Sequence, residues 1–288
     1  MPKSGVLNPE ALIDKLAGRW PLLRKFMVQD PGTEKFSPEQ LDNYQPIRNL
    51  IDAWFRISFE GLEHIPSSGR ALLVGNHGRT GLDAFVFAAV ASEHLGRPVR
   101  PLTDKLFFRF PGLRDFIAAC GGVPGTRENA SRLLTEDNLV VVYPGGNDEV
   151  MKPAFEAYQL SWGDRTGFVK VARSTNAPII PVAGIGVEEL YQNMPGFDSW
   201  EMSPLGRWLE DVIGRRYRGL PPIAGIGPLP NPVKLTFIMG EPIPTTDLHP
   251  TDEAEHLAFQ RHVQAVLKKM MRDGLARRDA QTSDEEDA

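Results

Sequence analysis

Short apolar runs alternate with helical patterns along most of the chain. Apolar or β-branched runs of strand length occur at residues 56–59, 71–75, 99–103, 139–143, 179–185 and 234–239. Patterns of helical length fall between or after them, at residues 82–94, 127–135, 166–175 and 251–278. Strands that alternate with helices predict an α/β fold, with a mostly parallel central sheet covered by helices on both faces.

Three segments lie outside this alternation and define the predicted domain organisation. Residues 1–58 are predicted to be a helical region, 59–278 the main domain with a loop-rich insertion at 189–233, and 279–288 a disordered acidic tail. In the first region, an amphipathic basic helix is predicted over 9–29, and a capping box at 37–40 predicts a second helix that runs to about Phe55. The basic helix suits either a membrane interface or packing on its own domain.

Charge and composition narrow the classes of function. The formal net charge is −5, and four of the acids lie in the last five residues, so the body is nearly neutral and gives no electrostatic case for nucleic acid. No run reaches the roughly 18–20 apolar residues of a spanning helix, which predicts a cytoplasmic protein associated peripherally with membrane. Cys120 is the single cysteine, so no disulfide forms within the chain.

Candidate chemistry lies where the apolar run at 71–75 turns into the helix that follows. His77 and Asp83 flank this turn, at the carboxyl end of a sheet strand, where open α/β folds keep their sites. A histidine oriented by a carboxylate has the parts of a general base. Neither serine nor cysteine stands nearby as a nucleophile, so the pair favours direct deprotonation of a hydroxyl. Taken alone, such a pair is more typical of a structural histidine.

Metal and cofactor chemistry are not expected. The remaining histidines are His64, His94, His249, His256 and His262, and none has metal-ligand spacing to another histidine or to cysteine. The sequence therefore predicts no metal and no bound cofactor.

Four short blocks carry a resemblance to a known family. They are GNHGRTGLD at 75–83, GGVPGTREN at 121–129, VVYPGG at 141–146 and APIIPV at 177–182. Their order and spacing resemble the glycerolipid acyltransferase family. The resemblance implies a fatty acyl thioester donor, on coenzyme A or acyl carrier protein, and a lipid hydroxyl acceptor at a membrane surface.

The resemblance also implies roles for particular residues. His77 would be the base and Asp83 its orienting carboxylate. Substrate binding is expected of Arg79, Thr80, Arg127, Glu128, Gly145, Gly146, Asn147 and Glu149. Two alternatives stay open: Arg127 is also placed for a salt bridge at a helix start, and the two glycines suit either contact with the thioester oxygen or a turn that ends a strand.

Two departures from the family pattern bear on the acceptor. Five residues, instead of four, separate His77 from Asp83, and the family's Pro-Glu-Gly-Thr-Arg is replaced by PGGND at 144–148. With Glu149 and the YQLSWG segment at 158–163, both departures resemble the branch that acylates diacylglycerol or phytol. Asp148, in place of a phosphate-facing arginine, would repel an anionic acceptor. A neutral acceptor is therefore expected. The alternatives are acylation of 1-acylglycerol-3-phosphate and a non-catalytic lipid-binding protein of the same fold.

Overall fold

The structure is a computed structural model. It describes residues 45–286, apart from 106, 110–113, 115–116, 119, 151, 153 and 192–229. The predicted helix over 9–29, the capping box at 37–40 and most of the predicted insertion at 189–233 lie outside the described residues.

Seven strands form one mixed sheet, in the order β1-β7-β6-β2-β5-β3-β4. They are β1 (Ser58–Glu60), β2 (Ala71–Gly75), β3 (Val99–Thr103), β4 (Val123–Pro124), β5 (Leu139–Val142), β6 (Ile179–Ile185) and β7 (Thr236–Met239). Strands β6, β2, β5, β3 and β4 are mutually parallel, whereas β7 is antiparallel to β6 and parallel to β1. The mostly parallel α/β fold is therefore confirmed.

The described helices follow the predicted pattern closely. They are α1 (Gln45–Phe55), α2 (Leu82–Leu95), α3 (Arg127–Thr135), α4 (Asn147–Val150), α5 (Gly167–Ser174) and α6 (Glu253–Glu286). The bounds of α3 are those predicted, because the side chain of Thr126 accepts a hydrogen bond from the Asn129 amide at 3.1 Å and caps the helix.

One strand was not predicted, and one expectation needs correction. The segment at 121–125 contains β4, whose two residues pair with Leu102 and Thr103 of β3. The tail from 279, expected to be disordered, is helical through Glu286. No glycine or proline interrupts residues 275–286, so the acidic charge alone does not end the helix.

Helices bury both faces of the sheet. Alternate residues of β2 point to opposite sides: Leu72 packs in a cluster with residues of α3, α5 and α6, and Leu73 in one with residues of α1 and α2. The central strands are therefore apolar throughout, as the sequence pattern predicts.

The loop after β2 is tied to the neighbouring strand β6. Asn76 is buried, and its side chain both donates to the Gly184 carbonyl at 3.0 Å and accepts from the Gly184 amide at 2.8 Å. Buried polar groups need hydrogen-bond partners, so these two bonds fix the point at which the chain leaves the sheet. His77 is the next residue.

Replacing Leu267 by alanine tests the packing of α6 on the sheet. Leu267 is fully buried in the cluster that contains Ile179 and Ile185 of β6. We expect Leu267→Ala to lower the free energy of unfolding by about 2–5 kcal/mol in urea titrations. Lys268→Ala, at the exposed neighbouring position, should change it by less than about 0.5 kcal/mol. Equal effects of the two changes would contradict this packing.

Candidate active site

His77 and Asp83 form a hydrogen-bonded pair at the carboxyl end of β2. His77 Nδ1 lies 3.0 Å from Asp83 Oδ2, and the Asp83 side chain, in the first turn of α2, is 1% exposed. The extra residue between them is accommodated by a 3-10 turn at Arg79–Gly81 that precedes α2. The departure from the family spacing therefore leaves the pairing intact.

The ring of His77 is held on two sides. It stacks on Tyr143, with the ring centroids 4.2 Å apart and the planes at 12°. On another side lies Gly81, whose φ of +75° favours glycine, and where an added Cβ would lie 3.2 Å from both Cε1 and Nε2 of the ring. Glycine at 81 therefore leaves room beside Nε2, the nitrogen that Asp83 does not engage.

The surroundings of His77 strengthen it as a base. Burial disfavours the charged ring, but the Asp83 charge and hydrogen bond, and the carboxylates of Glu149 and Glu188, outweigh it and raise the pKa of His77 above 6.5. Asp83 Oδ1 is buried and has no hydrogen-bond partner within the described part of the chain. The bond to His77 therefore compensates the buried carboxylate, and protonation of the ring strengthens it.

A cavity of about 280 Å³ opens beside His77. It lies at the carboxyl ends of the parallel strands and extends from the start of α2 to the start of α5. Its apolar wall comprises Leu72, Ala84, Phe85, Leu102, Phe107, Ala130, Val142, Val150, Phe168 and Val171. Polar groups are contributed by His77, Thr103, Asp104, Thr126, Arg127, Tyr143 and Asn147. An apolar cavity with a base in its wall suits an acyl chain whose reactive end meets His77.

The second sequence block contributes Arg127 to this cavity. Its guanidinium lies across Gly167, with Nε 3.4 Å from the position of an added Cβ there. Glu128, expected to bind substrate, is exposed on the first turn of α3 and lies outside the wall. Hydrogen bonds from its own amide and from Thr126 lower the pKa of Glu128, and an acidic side chain is favourable in the first turn of a helix.

The third block forms a turn at the end of β5. The Gly146 amide donates to the Tyr143 carbonyl at 3.0 Å, which favours the turn over contact with the thioester oxygen. Asn147 lines the cavity, with Nδ2 3.4 Å from Asp104 Oδ2.

Asp148 lies outside the cavity wall and pairs with Arg165. The side chains are 56% and 49% exposed, so solvent screens this pair and a nearby acceptor meets little of its charge. The sequence-based interpretation that Asp148 repels a phosphorylated acceptor therefore needs correction, because its carboxylate neither faces the cavity nor lacks a cation.

Two further residues expected to bind substrate lie outside the wall. Glu149 is fully buried, with Oε2 2.9 Å from the His77 amide and Oε1 3.0 Å from the Ser161 amide. Arg79 is 4% exposed. Thr80 lies in the same 3-10 turn as Arg79, and its side chain is outside the described residues.

Sequence reasoning missed a buried ion pair near His77. Lys152 pairs with Glu188, and their side chains are 1% and 3% exposed. Burial raises the pKa of Glu188 to about 7, against the opposing effect of Lys152. No local sequence pattern marks Lys152. The contact of Tyr143 with the site could have been predicted, because Tyr143 directly follows β5, the parallel neighbour of β2, and parallel neighbours end at the same edge of the sheet.

Comparison with known proteins places the chain in a family. A family model described as Acyltransferase matches residues 56–184. The "DGAT1/2-independent enzyme synthesizing storage lipids" of Bos taurus is 32% identical over 76% of this chain and 61% of its own length, and that of Homo sapiens 32% over 76% and 63%. An uncharacterised protein of Mycobacterium tuberculosis is 31% identical over 85% of this chain and 69% of its own.

A solved structure supports the fold. The crystal structure of the 1-acyl-sn-glycerophosphate (LPA) acyltransferase PlsC from Thermotoga maritima matches with a TM-score of 0.50 and 16% identity, over 92% of each chain. This chain belongs to the glycerolipid acyltransferase family, whose enzymes acylate lipids. It spans 61% and 63% of the bovine and human relatives' length.

Within the described residues, no group of three or more His, Cys, Asp or Glu side chains is arranged to hold a metal ion. The absence of a cofactor stays a prediction from sequence.

Replacing Asp83 by asparagine tests the electrostatic coupling. An amide removes the charge that raises the pKa of His77, so this pKa should fall in Asp83→Asn. Because the base must be neutral, the acidic limb of kcat/KM should move to lower pH while the rate falls. NMR titration of the ring, assigned with His77→Ala, measures the shift. An unchanged pKa would show that Asp83 does not stabilise the imidazolium.

Proposed function

We propose that this enzyme transfers a fatty acyl group from an acyl thioester to the hydroxyl of a neutral lipid, such as diacylglycerol or a long-chain alcohol. The observation that carries the proposal is the His77–Asp83 pair, 3.0 Å apart, with the ring in the wall of a largely apolar cavity. This geometry supports a catalytic protein over the lipid-binding alternative.

The proposed reaction needs no covalent enzyme intermediate. His77 Nε2 takes the proton of the acceptor hydroxyl as its oxygen attacks the thioester carbonyl. Collapse of the tetrahedral intermediate breaks the C–S bond, and the departing sulfur takes the proton from the imidazolium. Asp83 stabilises the imidazolium between these steps. The products are an ester and a free thiol.

The charges of the cavity support a neutral acceptor. Arg127 is the one arginine or lysine among the described residues of the wall, and Asp104 adds a carboxylate. A phosphate carries one to two negative charges and needs several donors to leave water. If Arg127 binds a phosphate of the donor, which coenzyme A and acyl carrier protein both carry, an anionic acceptor lacks compensation. The names of the bovine and human relatives, which refer to storage lipids, agree.

Acylation of 1-acylglycerol-3-phosphate is the alternative, and Arg127 is the feature that favours it. The resemblance to the Thermotoga maritima enzyme, at 16% identity, supports the fold and does not decide the acceptor.

A competition assay tests the acceptor. With labelled acyl-CoA, or acyl carrier protein as second donor, and equal acceptor concentrations in mixed micelles, we expect diacylglycerol or a long-chain alcohol to be acylated faster than 1-acylglycerol-3-phosphate. His77→Ala should lower the rate at least ~10²-fold without changing the circular dichroism spectrum. A preference for the phosphorylated lysolipid would support the alternative instead, and full activity of His77→Ala would exclude the mechanism.

The same edge of the sheet offers a surface for lipid. Leu50, Trp54 and Phe155 are 66%, 38% and 82% exposed. Trp54 lies shortly before β1. The first residue of β1 pairs with the first residue of β7, which in turn pairs with the last residue of β6, so Trp54 is near the carboxyl end of β6. Phe155 lies three residues before Tyr158, whose hydroxyl accepts from the Gly186 amide at that end. Trp54 and Phe155 thus lie near the edge where the cavity opens.

We propose that this edge contacts the membrane peripherally. Among the described residues, no helix is long and apolar enough to cross a bilayer. The segments at 9–29 and 189–233 remain further candidates from sequence.

Phe155→Ser tests the contact. Withdrawing a phenyl ring from the interface should weaken sedimentation with phosphatidylcholine–phosphatidylglycerol vesicles roughly 5- to 30-fold, the equivalent of about 1–2 kcal/mol of lost burial. Glu93→Ser, an exposed change at the far end of α2, should leave sedimentation unchanged. If Phe155→Ser binds as the wild type does, deletion of residues 1–28 becomes the decisive variant.

A further inference from the structure

The side chain of Glu149 fills the space beside Gly145 of the third block. An added Cβ at Gly145 would lie 2.3 Å from Cγ and Cδ of Glu149 and 2.4 Å from its Oε1. These three Glu149 atoms are the nearest that such a Cβ would meet. The carboxyl group of Glu149 therefore stands where a side chain of residue 145 would begin, at the position where the family pattern has glutamate.

We propose that Glu149 replaces the carboxylate that the family pattern has at 145, and that it is a positioning residue that holds His77 in place for catalysis. Glycine at 145 is the condition for this arrangement. Glycine at 145 and glutamate at 149 are then a single exchange, in which the carboxylate has moved by four residues and kept its place. The proposal rests on His77 acting as the base of the proposed function.

The hydrogen bonds of Glu149 show how it would act. Oε2 accepts from the amide of His77 and Oε1 from the amide of Ser161, at 2.9 and 3.0 Å. The carboxylate thus joins the loop after β2 to the segment before α5. A buried carboxylate is costly unless its oxygens are bonded, and here both accept from main-chain N–H groups. Burial raises the pKa of Glu149, and the two N–H donors act against that rise because they stabilise the ionised form.

The charge of Glu149 also acts on the ring. The charged or titratable groups around His77 are Asp83 from α2, Glu149 from α4, Glu188 after β6 with its partner Lys152, and the stacked Tyr143. Asp83 gives the largest favourable contribution to the charged ring, and Glu149 adds to it. Removing the Glu149 charge should therefore lower the pKa of His77, in the same direction as Asp83→Asn.

Three single and two double variants test the exchange. Glu149→Gln keeps the shape and removes the charge and one acceptor. We expect kcat to fall about tenfold or more, with KM nearly unchanged, and the acidic limb of the pH profile to move to lower pH. Gly145→Ala should cause a similar loss, since its methyl group displaces the carboxyl group. Added to Glu149→Ala, Gly145→Ala should cost nothing further, a non-additivity typical of residues that share one space.

The second double variant moves the carboxylate back. Gly145→Glu combined with Glu149→Ala restores the family arrangement and should recover much of the kcat lost in Glu149→Ala alone. Wild-type kcat and His77 titration in Glu149→Gln, or strictly additive effects of Gly145→Ala and Glu149→Ala, would overturn the proposal. So would a loss of unfolding free energy in Glu149→Gln without a change in kcat, which marks a purely structural role.

The outcome does not depend on the acceptor. If the wild type prefers a phosphorylated lysolipid, the same variants are measured with that substrate. If the wild type transfers no acyl group, the proposed function fails, whereas the NMR titration of His77 and the non-additivity in unfolding free energy still decide how Gly145 and Glu149 are coupled.

Discussion

The site depends on one buried charge. The Asp83 side chain is 1% exposed, and His77 is its hydrogen-bond partner in the described part of the chain. A carboxylate in that position is costly unless a donor faces it, so the placement of His77 is a condition for the fold as well as for the proposed chemistry. The surrounding contacts serve this constraint: the stacked Tyr143, the glycine at 81 and the amide–carboxylate bond to Glu149 all limit where the ring can go. Charge stabilisation and chemistry thus share the same atoms.

Features that depend on residues close together in the sequence could be predicted, and features that depend on residues far apart in the sequence could not. The strand–turn–helix unit that carries His77 and Asp83 is local, and so are the strand of 179–185 and the bounds of α3; all were predicted. The environment of Asp148 is not local, since its partner Arg165 lies 17 positions away, after the loop has folded back. Glu149 was placed among the substrate ligands because a carboxylate in a motif suggests binding, whereas its bonding partner at His77 is 72 positions away. Family motifs show which residues gather at a site but not which of them face the substrate.

The structure accommodates both departures from the family sequence pattern. The additional residue between His77 and Asp83 is taken up by a single 3-10 turn that ends at a left-handed glycine. The missing side chain at 145 is matched by the carboxyl group of Glu149. In each case glycine is the residue that changes the path or opens the space: Asp83 still pairs with His77, and the Glu149 carboxyl group fills the space beside residue 145.

The packing of α6 has a consequence for how this fold can be divided. The four motifs and the family match end near residue 184, yet β6 is bordered by β7 and covered by α6, which come afterwards. Gly274 of α6 approaches so closely that a Cβ there would lie 2.8 Å from Ile238 and 2.9 Å from Ile185. Arg278 joins Glu189, after β6, at 2.7 Å. The segment that contains every motif is thus not a self-sufficient module. Exchanging it alone between relatives would leave one strand edge and one apolar face of the sheet uncovered. The natural unit of recombination in this fold is therefore the whole sheet together with α6.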